Sequence, residues 1–281
     1  MSKETQRELA NQFQKMHTEK KILVLPNAWD AGGAVIFEKD GFSAIGTSSA
    51  GISYSLGYPD GEYISFDDIV DTTKKIKKRI SIPLSVDVER GYGKDITETV
   101  QNIRIVIQEG AVGINLEDGL LNSQGLADMK KQCDLISEIS KLKDTLGINF
   151  VINARTDAYW LNLSADKNVL FEQTIQRANL YLKAGADCIF VPGILDIEEI
   201  KMFVDEINGP LNIIITPNTP SIDFLEKLGV ARVSSGSAPA RASFALIKNI
   251  SNELHQQGTY SNIFKTNIAY DKLNCIFKDE D

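Results

Sequence analysis

Four segments of the chain repeat one pattern of polar and hydrophobic positions. They are "DGFSAIGTSS" (40–49), "EGAVGINLED" (109–118), "AGADCIFVPG" (184–193) and "LGVARVSSG" (228–236). Each sets a glycine after a helical stretch, then one or two small or apolar residues, a short hydrophobic run and a polar break. Glycine just past a helix end adopts the left-handed conformation cheaply and stops the helix. The hydrophobic run that follows reads as a strand. Four more runs fill the intervals: "ILVLPNA" (22–28), "IPLSVDVE" (82–89), "NFVINARTD" (149–157) and "LNIIITPN" (211–218). All are rich in Val, Ile or Leu without interruption, as strands covered on both faces are. Helical periodicity occupies 66–79, 95–109, 126–143, 168–184, 196–207 and 221–227. Repeated strand–helix units force parallel pairing with right-handed crossovers, and eight of them predict a closed (β/α)8 TIM barrel behind an N-terminal helix. A chain of 281 residues suits a single barrel domain, 1–281. Residues 251–281 mix polar positions with Tyr260, Ile263, Phe264, Ile268, Tyr270, Ile276 and Phe277. They predict a C-terminal helical arm, packed on its own barrel or on a neighbouring subunit.

Composition narrows the partners. The net charge is -8 and the pI near 5.0, which speaks against nucleic acid. No apolar run approaches the roughly 18–20 residues that span a bilayer. The polar start "MSKETQRELANQFQKMHTEKK" lacks the apolar core of a signal peptide. Cys133, Cys188 and Cys275 are scattered without a motif, as expected in a reducing cytoplasm.

In such barrels the chemistry lies at the C-terminal ends of the strands. Those ends carry Asn27 to Asp30, Thr47 to Ala50, Asp87 and Glu89, Asn115, Glu117 and Asp118, Asn153, Arg155 and Asp157, Pro192, Thr216 and Asn218, and Ser234 to Ser237. Asp87 and Glu89 stand two apart on one strand, so alternation points them the same way. Two such acids repel and raise each other's pKa unless a cation joins them. Carboxylates without His or Cys among them are hard oxygen ligands, which suit Mg²⁺, with Mn²⁺ as the other fitting ion. Arg155 offers a planar fork for a substrate carboxylate or enolate oxygen. Ser48, Ser49 and Ala50 offer hydroxyls and backbone N–H groups. Neither His17 nor His255 lies at a strand end, and no strand ends in Lys. This argues against zinc, histidine bases and Schiff-base chemistry. "SSGSAPA" (234–240) reads as a helix N-cap.

The segments "TSSAGISYSLGYPD", "SVDVERGYG", "GINLEDG" and "NARTDA" occur in this order and spacing. Together they resemble the isocitrate lyase / phosphoenolpyruvate mutase superfamily, over roughly residues 20–250. The resemblance implies a Mg²⁺-dependent barrel, often a homotetramer, with its eighth helix exchanged between subunits. It implies a lyase or mutase that breaks or rearranges a C–C or P–C bond of a small 2-oxo or 2-hydroxy carboxylate. The route would be an enolpyruvate intermediate whose oxygen sits on the metal. By motif match, Asp87 would ligate the metal directly, and Glu89, Glu117 and Asp60 would hold its waters. Ser48, Ser49 and Ala50 would cradle the carboxylate or oxyanion. Arg155, Glu117 and Asn122 would be catalytic, with Tyr92, Asn122 or water as proton donor. The loop "GLLNSQGLADMKKQCD" replaces the Lys-Lys-Cys-Gly-His motif of the lyases, and Pro192 replaces a mutase His. Cys133 shares a helical stripe with Leu126, Met129 and Ile136, which assigns it to packing. Glu89 in place of Asp is similar to the mutase-like branch. The other readings are a phosphonopyruvate-type mutase or hydrolase and a barrel that binds a 2-oxo acid without turnover.

Overall fold

The computed structural model describes residues 1–121, 125–194 and 196–278. Nine parallel strands form the sheet: β1 (Leu23–Leu25), β2 (Asn27–Ala28), β3 (Ile45–Thr47), β4 (Leu84–Asp87), β5 (Gly113–Glu117), β6 (Val151–Arg155), β7 (Cys188–Phe190), β8 (Leu211–Ile214) and β9 (Arg232–Ser234). They are ordered from β2 through β3 to β9 and then β1. The predicted first strand, 22–28, is thus split at Pro26, which has no N–H to give to a ladder. Its first half pairs with β9 and its second with β3. Pro26 still accepts from Gly46 N–H at 2.9 Å, so the split strand joins the two ends of the sheet into the expected eight-position barrel.

The described helices are α1 (Lys3–Met16), α2 (Ala31–Lys39), α3 (Ser49–Ser55), α4 (Phe66–Lys77), α5 (Ile96–Gln108), α6 (Met129–Leu146), α7 (Lys167–Ala184), α8 (Ile197–Glu206), α9 (Ile222–Leu228), α10 (Ala238–Gln257), α11 (Ser261–Phe264) and α12 (Tyr270–Phe277), and α4 to α9 fall within about three residues of the ranges the periodicity gives. Helix α6 starts later than predicted, because Leu126 instead bridges to Gly119. Helix α3 was not legible: Ser48 to Ala50 were read as an extended strand end. Ser48 caps it, accepting from Gly51 N–H at 3.2 Å. Ser237 stands at the N-cap of α10 as read, but its side chain makes no capping hydrogen bond.

Apolar residues such as Leu25, Ile45, Val86, Ile114, Ile152 and Val233 are fully buried between sheet and helices. A second, polar set is buried along the barrel: Asn27, Ser85, Asn115, Asn153, Asn212 and Ser234. Asn153 donates to Asn115 (2.9 Å), Asn115 to Asp87 (3.0 Å) and Ser234 to Asn212 (3.0 Å). Buried amides hold fixed positions when their partners are supplied in this way. Helix α1 packs against β5 and the turn before it. Its Gln6 donates to the carbonyls of Ile107 and Ala111, and its Phe13 ring takes the space a Cβ on Gly113 would fill, 2.6 Å away.

The C-terminal part is helical and begins with the long helix that follows β9. Helix α10 continues to Gln257 and buries only Ala240 and Glu253, leaving Leu246, Ile247 and Leu254 exposed. Helix α12 returns to the chain's own barrel. Phe277 carbonyl accepts from Arg79, and Lys278 carbonyl from Lys39. Among the described residues no helix is long and apolar enough to cross a membrane.

His17, at the end of α1, is buried and hydrogen-bonds Phe13 carbonyl through Nδ1 at 2.8 Å. Burial, and then the nearby Arg232 charge, lower its pKa to about 3. Below the ordinary value of 6.5 the unfolded chain binds a proton here and the folded chain does not. Folding stability therefore falls as pH drops from about 6.5 to about 3, by up to ~1.4 kcal/mol per pH unit from this group. Denaturant titrations across that range should show a slope that His17→Gln reduces by nearly one proton.

Candidate active site at the barrel mouth

Asp87, the last residue of β4, lies at the centre of the mouth. Its Oδ2 accepts from Ser49 N–H (3.0 Å) and Ser49 Oγ–H (2.8 Å), and its Oδ1 from Asn115 (3.0 Å). Ser49 Oγ also stands 3.4 Å from Asp60 Oδ1. The two carboxylates therefore share one hydroxyl. Neither forms an ion pair with a described lysine or arginine, although Arg155 is near enough to act on Asp60. Burial, and then the Asp87 charge, raise the Asp60 pKa.

Glu89 does not continue the β4 alternation. The strand ends at Asp87, and Glu89 has a left-handed backbone (φ 48), as do Tyr92 (φ 56) and Glu62 (φ 57). Left-handed backbone at three non-glycine residues is uncommon and must be held by its surroundings. Glu62 does this: its Oε1 accepts from the N–H groups of Arg90 (3.1 Å) and Tyr92 (3.3 Å), and its own N–H donates to Glu89 at 2.9 Å. Tyr92 hydroxyl donates to Glu89 Oε1 at 2.6 Å. Burial raises the Glu89 pKa to about 7 against that hydrogen bond. Both Glu89 oxygens are thus engaged, and the alternation that put Glu89 beside Asp87 in the cleft does not hold.

Glu117, at the end of β5, is held between two guanidinium groups. Arg155 Nη1 reaches its Oε2 at 3.0 Å and Arg90 Nη1 its Oε1 at 3.2 Å. Burial raises its pKa, with Arg155 opposing. Arg155 is anchored a second time, donating from Nε to Asp157 at 2.6 Å. Burial disfavours its charge, but Glu117 and Asp157 outweigh that and keep the guanidinium ionised. Its Nη2 has no protein partner among the described residues. Asp118 fixes Asp157 in turn, accepting from Asp157 N–H (2.9 Å), Tyr181 hydroxyl (2.7 Å) and Arg177 (3.2 Å). Gly119 is required beside it, since a Cβ there would lie 2.6 Å from Asp157 Oδ2.

The resulting cleft is lined by Ser48, Ser49, Ala50, Asp60, Asp87 and Arg155 among the expected residues. Glu89 and Glu117 stand behind this lining. Asn122, with Ser123, lies outside the described residues. Cys133 is half-buried on α6 against the core, as its stripe implied. Glu62, Trp160, Phe190 and Arg232 were not anticipated. Trp160, Phe190 and Arg232 also line the cleft. Arg232 is buried without a carboxylate partner among the described residues; its Nη1 makes no hydrogen bond, and burial lowers its pKa to about 10. Only Glu62 carried a readable signal, its place two residues after Asp60 in the same turn.

Among the described residues no three His, Cys, Asp or Glu side chains converge into a ready metal cage. The donors present do fit a hard divalent cation. Mg²⁺ takes one or two carboxylates and fills its other positions with water and substrate oxygens. Asp60 and Asp87 are two such carboxylates, close together and sharing the Ser49 hydroxyl.

A family model described as phosphoenolpyruvate phosphomutase matches residues 13–255. An uncharacterized protein of Mycobacterium tuberculosis is 36% identical over 82% of this chain and 83% of its own. A 2-methylisocitrate lyase of Halalkalibacterium halodurans is 30% identical over 74% of this chain and 67% of its own. A crystal structure from Burkholderia cenocepacia superposes with a TM-score of 0.90 at 29% identity, covering 99% of this chain and 98% of that one.

The Asp118 contacts predict a large structural cost for its loss. Asp118→Ala leaves Arg177 without its carboxylate and Tyr181 without its acceptor, which should cost about 3–5 kcal/mol in chemical denaturation. A loss under about 1 kcal/mol would show that the cluster does not support the mouth.

Proposed function

The chain belongs to the phosphoenolpyruvate phosphomutase family, and from that premise we propose that it is a divalent-cation-dependent lyase. It would cleave a carbon–carbon bond in a small 2-oxo or 2-hydroxy carboxylate. The observation that carries the reading is the Asp60–Ser49–Asp87 arrangement beside the doubly anchored Arg155. Asp87 and Asp60 would hold Mg²⁺ or Mn²⁺, with Glu89 and Glu117 further back in the same electrostatic cluster. Bound there, the cation supplies Lewis-acid polarisation of a substrate oxygen.

The chain's own groups do the rest. Arg155 cannot swing, because Nε and Nη1 are tied to Asp157 and Glu117. Its Nη2 is left for an oxygen on which charge develops. A donor fixed before the reaction needs no reorganisation when that charge appears. Ala50 N–H, at the start of α3, donates to no described group and lines the cleft beside Asp87, ready for a substrate carboxylate. Ser49 is occupied by Asp87 and positions it. Tyr92 is committed to Glu89, which leaves Asn122 or an ordered water as the candidate donor. A phosphonate dianion calls for several cationic donors. The described lining offers Arg155 and the deeply buried Arg232, which favours C–C over P–C cleavage.

The uncovered Leu246, Ile247 and Leu254 of α10 support a homo-oligomer in which this helix packs on a second copy. Ile247→Glu should then lower the mass measured by sedimentation.

Oxaloacetate, 2-methylmalate, 2-methylisocitrate and phosphonopyruvate, each with Mg²⁺, test the reaction. A 2-oxo acid or cleaved carboxylate should appear and should stop with chelator. Asp87→Ala should abolish turnover with the circular dichroism spectrum unchanged. Arg155→Lys should lower kcat/KM about 10²–10³-fold. Metal-dependent thermal stabilisation without product from any of the four would favour a binding protein instead.

A further inference from the structure

The arginines around the mouth are spent on carboxylates: Arg90 on Glu62 and Glu117, Arg155 on Glu117 and Asp157, and Arg177 on Asp118. Arg232 is not. It is 2% exposed on β9 and lines the cleft, yet no described Asp or Glu forms an ion pair with it. Its Nε reaches Ser234 Oγ at 3.4 Å, and its Nη1 makes no hydrogen bond. Burial lowers its pKa to about 10, which leaves the guanidinium charged at neutral pH.

The neighbouring strand repeats the pattern. Asn212 of β8 is the register partner of Arg232 and has no exposed surface. The Ser234 hydroxyl takes the Arg232 Nε–H and gives its own proton to Asn212 Oδ1 at 3.0 Å. That fixes the amide with Nδ2 as a donor, and Nδ2 has no acceptor. Ser85, on the same cleft lining, also has a hydroxyl without a partner. Two adjacent strands thus carry one buried positive charge and unmatched N–H donors at the same level of the barrel.

An unpaired buried charge is strongly destabilising, and native proteins rarely leave buried donors unmatched. A water accepts the hydrogen bonds but leaves the charge uncompensated. An anion answers both. β9 lies across the barrel from β5, whose end carries Glu117, so an anion at Arg232 stands apart from the paired acids. Asp87 is the mouth acid whose charge acts on Arg232. Its repulsion favours an occupant with one charge over one with two, and the depth of Arg232 excludes a bulky one.

We infer that Arg232 and Asn212 form an anion site at the floor of the cleft. The occupant is a small monovalent anion, either a halide ion or the carboxylate end of a bound acid. The site needs no turnover to be occupied.

Unfolding temperature tests it on the full chain, with chelator and with Mg²⁺. Sodium isethionate, whose anion is bulky, sets the ionic strength and is replaced in steps by chloride, bromide or formate. Each tenfold rise in a bound anion above its Kd should raise Tm by about 3 °C. The rise should begin at lower concentration with Mg²⁺, which offsets the Asp87 charge. Arg232→Met keeps the length of the side chain without its charge. It should fold, since an apolar group replaces an unpaired buried charge, and its Tm should not respond. Bromide in crystals should give an anomalous signal against the Arg232 guanidinium. Calorimetry separates the two sources. Chloride should raise the Kd of pyruvate severalfold where the pyruvate carboxylate takes the floor, and leave it unchanged where a halide sits there beside the ligand. An equal Tm in all four salts under both conditions would overturn the site and assign the donors to water, with the proposed function left standing. A response that persists in Arg232→Met, or bromide found only elsewhere, would overturn it as well. An Arg232-dependent halide response indifferent to Mg²⁺ would instead overturn the cation at Asp87 and leave the anion site standing.

Discussion

Electrostatic repulsion at one end of the barrel is the constraint around which this protein is arranged. Asp60, Glu62, Asp87, Glu89, Glu117, Asp118 and Asp157 crowd the mouth, and Arg90, Arg155 and Arg177 are the arginines paired with them. The seven acids outnumber the three arginines, and burial raises the pKa of Asp60, Glu89, Glu117 and Asp118. The arginines are not shared evenly. Glu117 takes two, Asp118 and Asp157 take one each, and Asp60 and Asp87 take none. The deficit is thereby concentrated on the two carboxylates that face the cleft. On the proposed function, a hard cation bound there would relieve it.

The same arrangement supplies rigidity. Asp87 is held by Ser49 from one neighbouring strand end and by Asn115 from the other, and Asn115 is held by Asn153. This hydrogen-bonded row fixes the carboxylate before any ligand arrives. Arg155 is fixed in the same sense by Glu117, Asp157 and, one step removed, Asp118. The turn from Glu89 to Tyr92 carries left-handed residues that cost about 1–3 kcal/mol each when unsupported. Glu62, itself left-handed, spends its carboxylate on the N–H groups of that turn. Strain is therefore localised beside the cleft and restrained from a different loop.

The cleft that results is polar on one side and apolar on the other, because the strands on its two sides end in different residue types. β3 and β4 end in hydroxyls and carboxylates. β7 ends in Phe190, with Pro192 following, and β8 ends in Ile214.

The sequence by itself determined the architecture and the address of the site. Glycine stops followed by continuous Val, Ile and Leu runs admit little besides parallel units, and eight of them close into a barrel. Asp87, Arg155 and Ser48 to Ala50 were legible because they stand at strand ends, where chain position alone sets location. Asp60 was legible only through its motif. What each acid does was decided by the tertiary structure. Alternation placed Glu89 beside Asp87, but a left-handed turn moved it into the hands of Tyr92 and Glu62. Glu117 was read as a water-holding acid, and the structure adds that Arg155 of β6 and Arg90 of the turn after β4 engage its two oxygens. The break at Pro26, the helix begun by Ser49 and the wall of Trp160, Phe190 and Ile214 were likewise invisible in the linear chain. The reason is physical: periodicity encodes which face of an element is buried. Ion pairs, shared hydroxyls and pocket walls depend on distances between residues brought together only when the barrel closes.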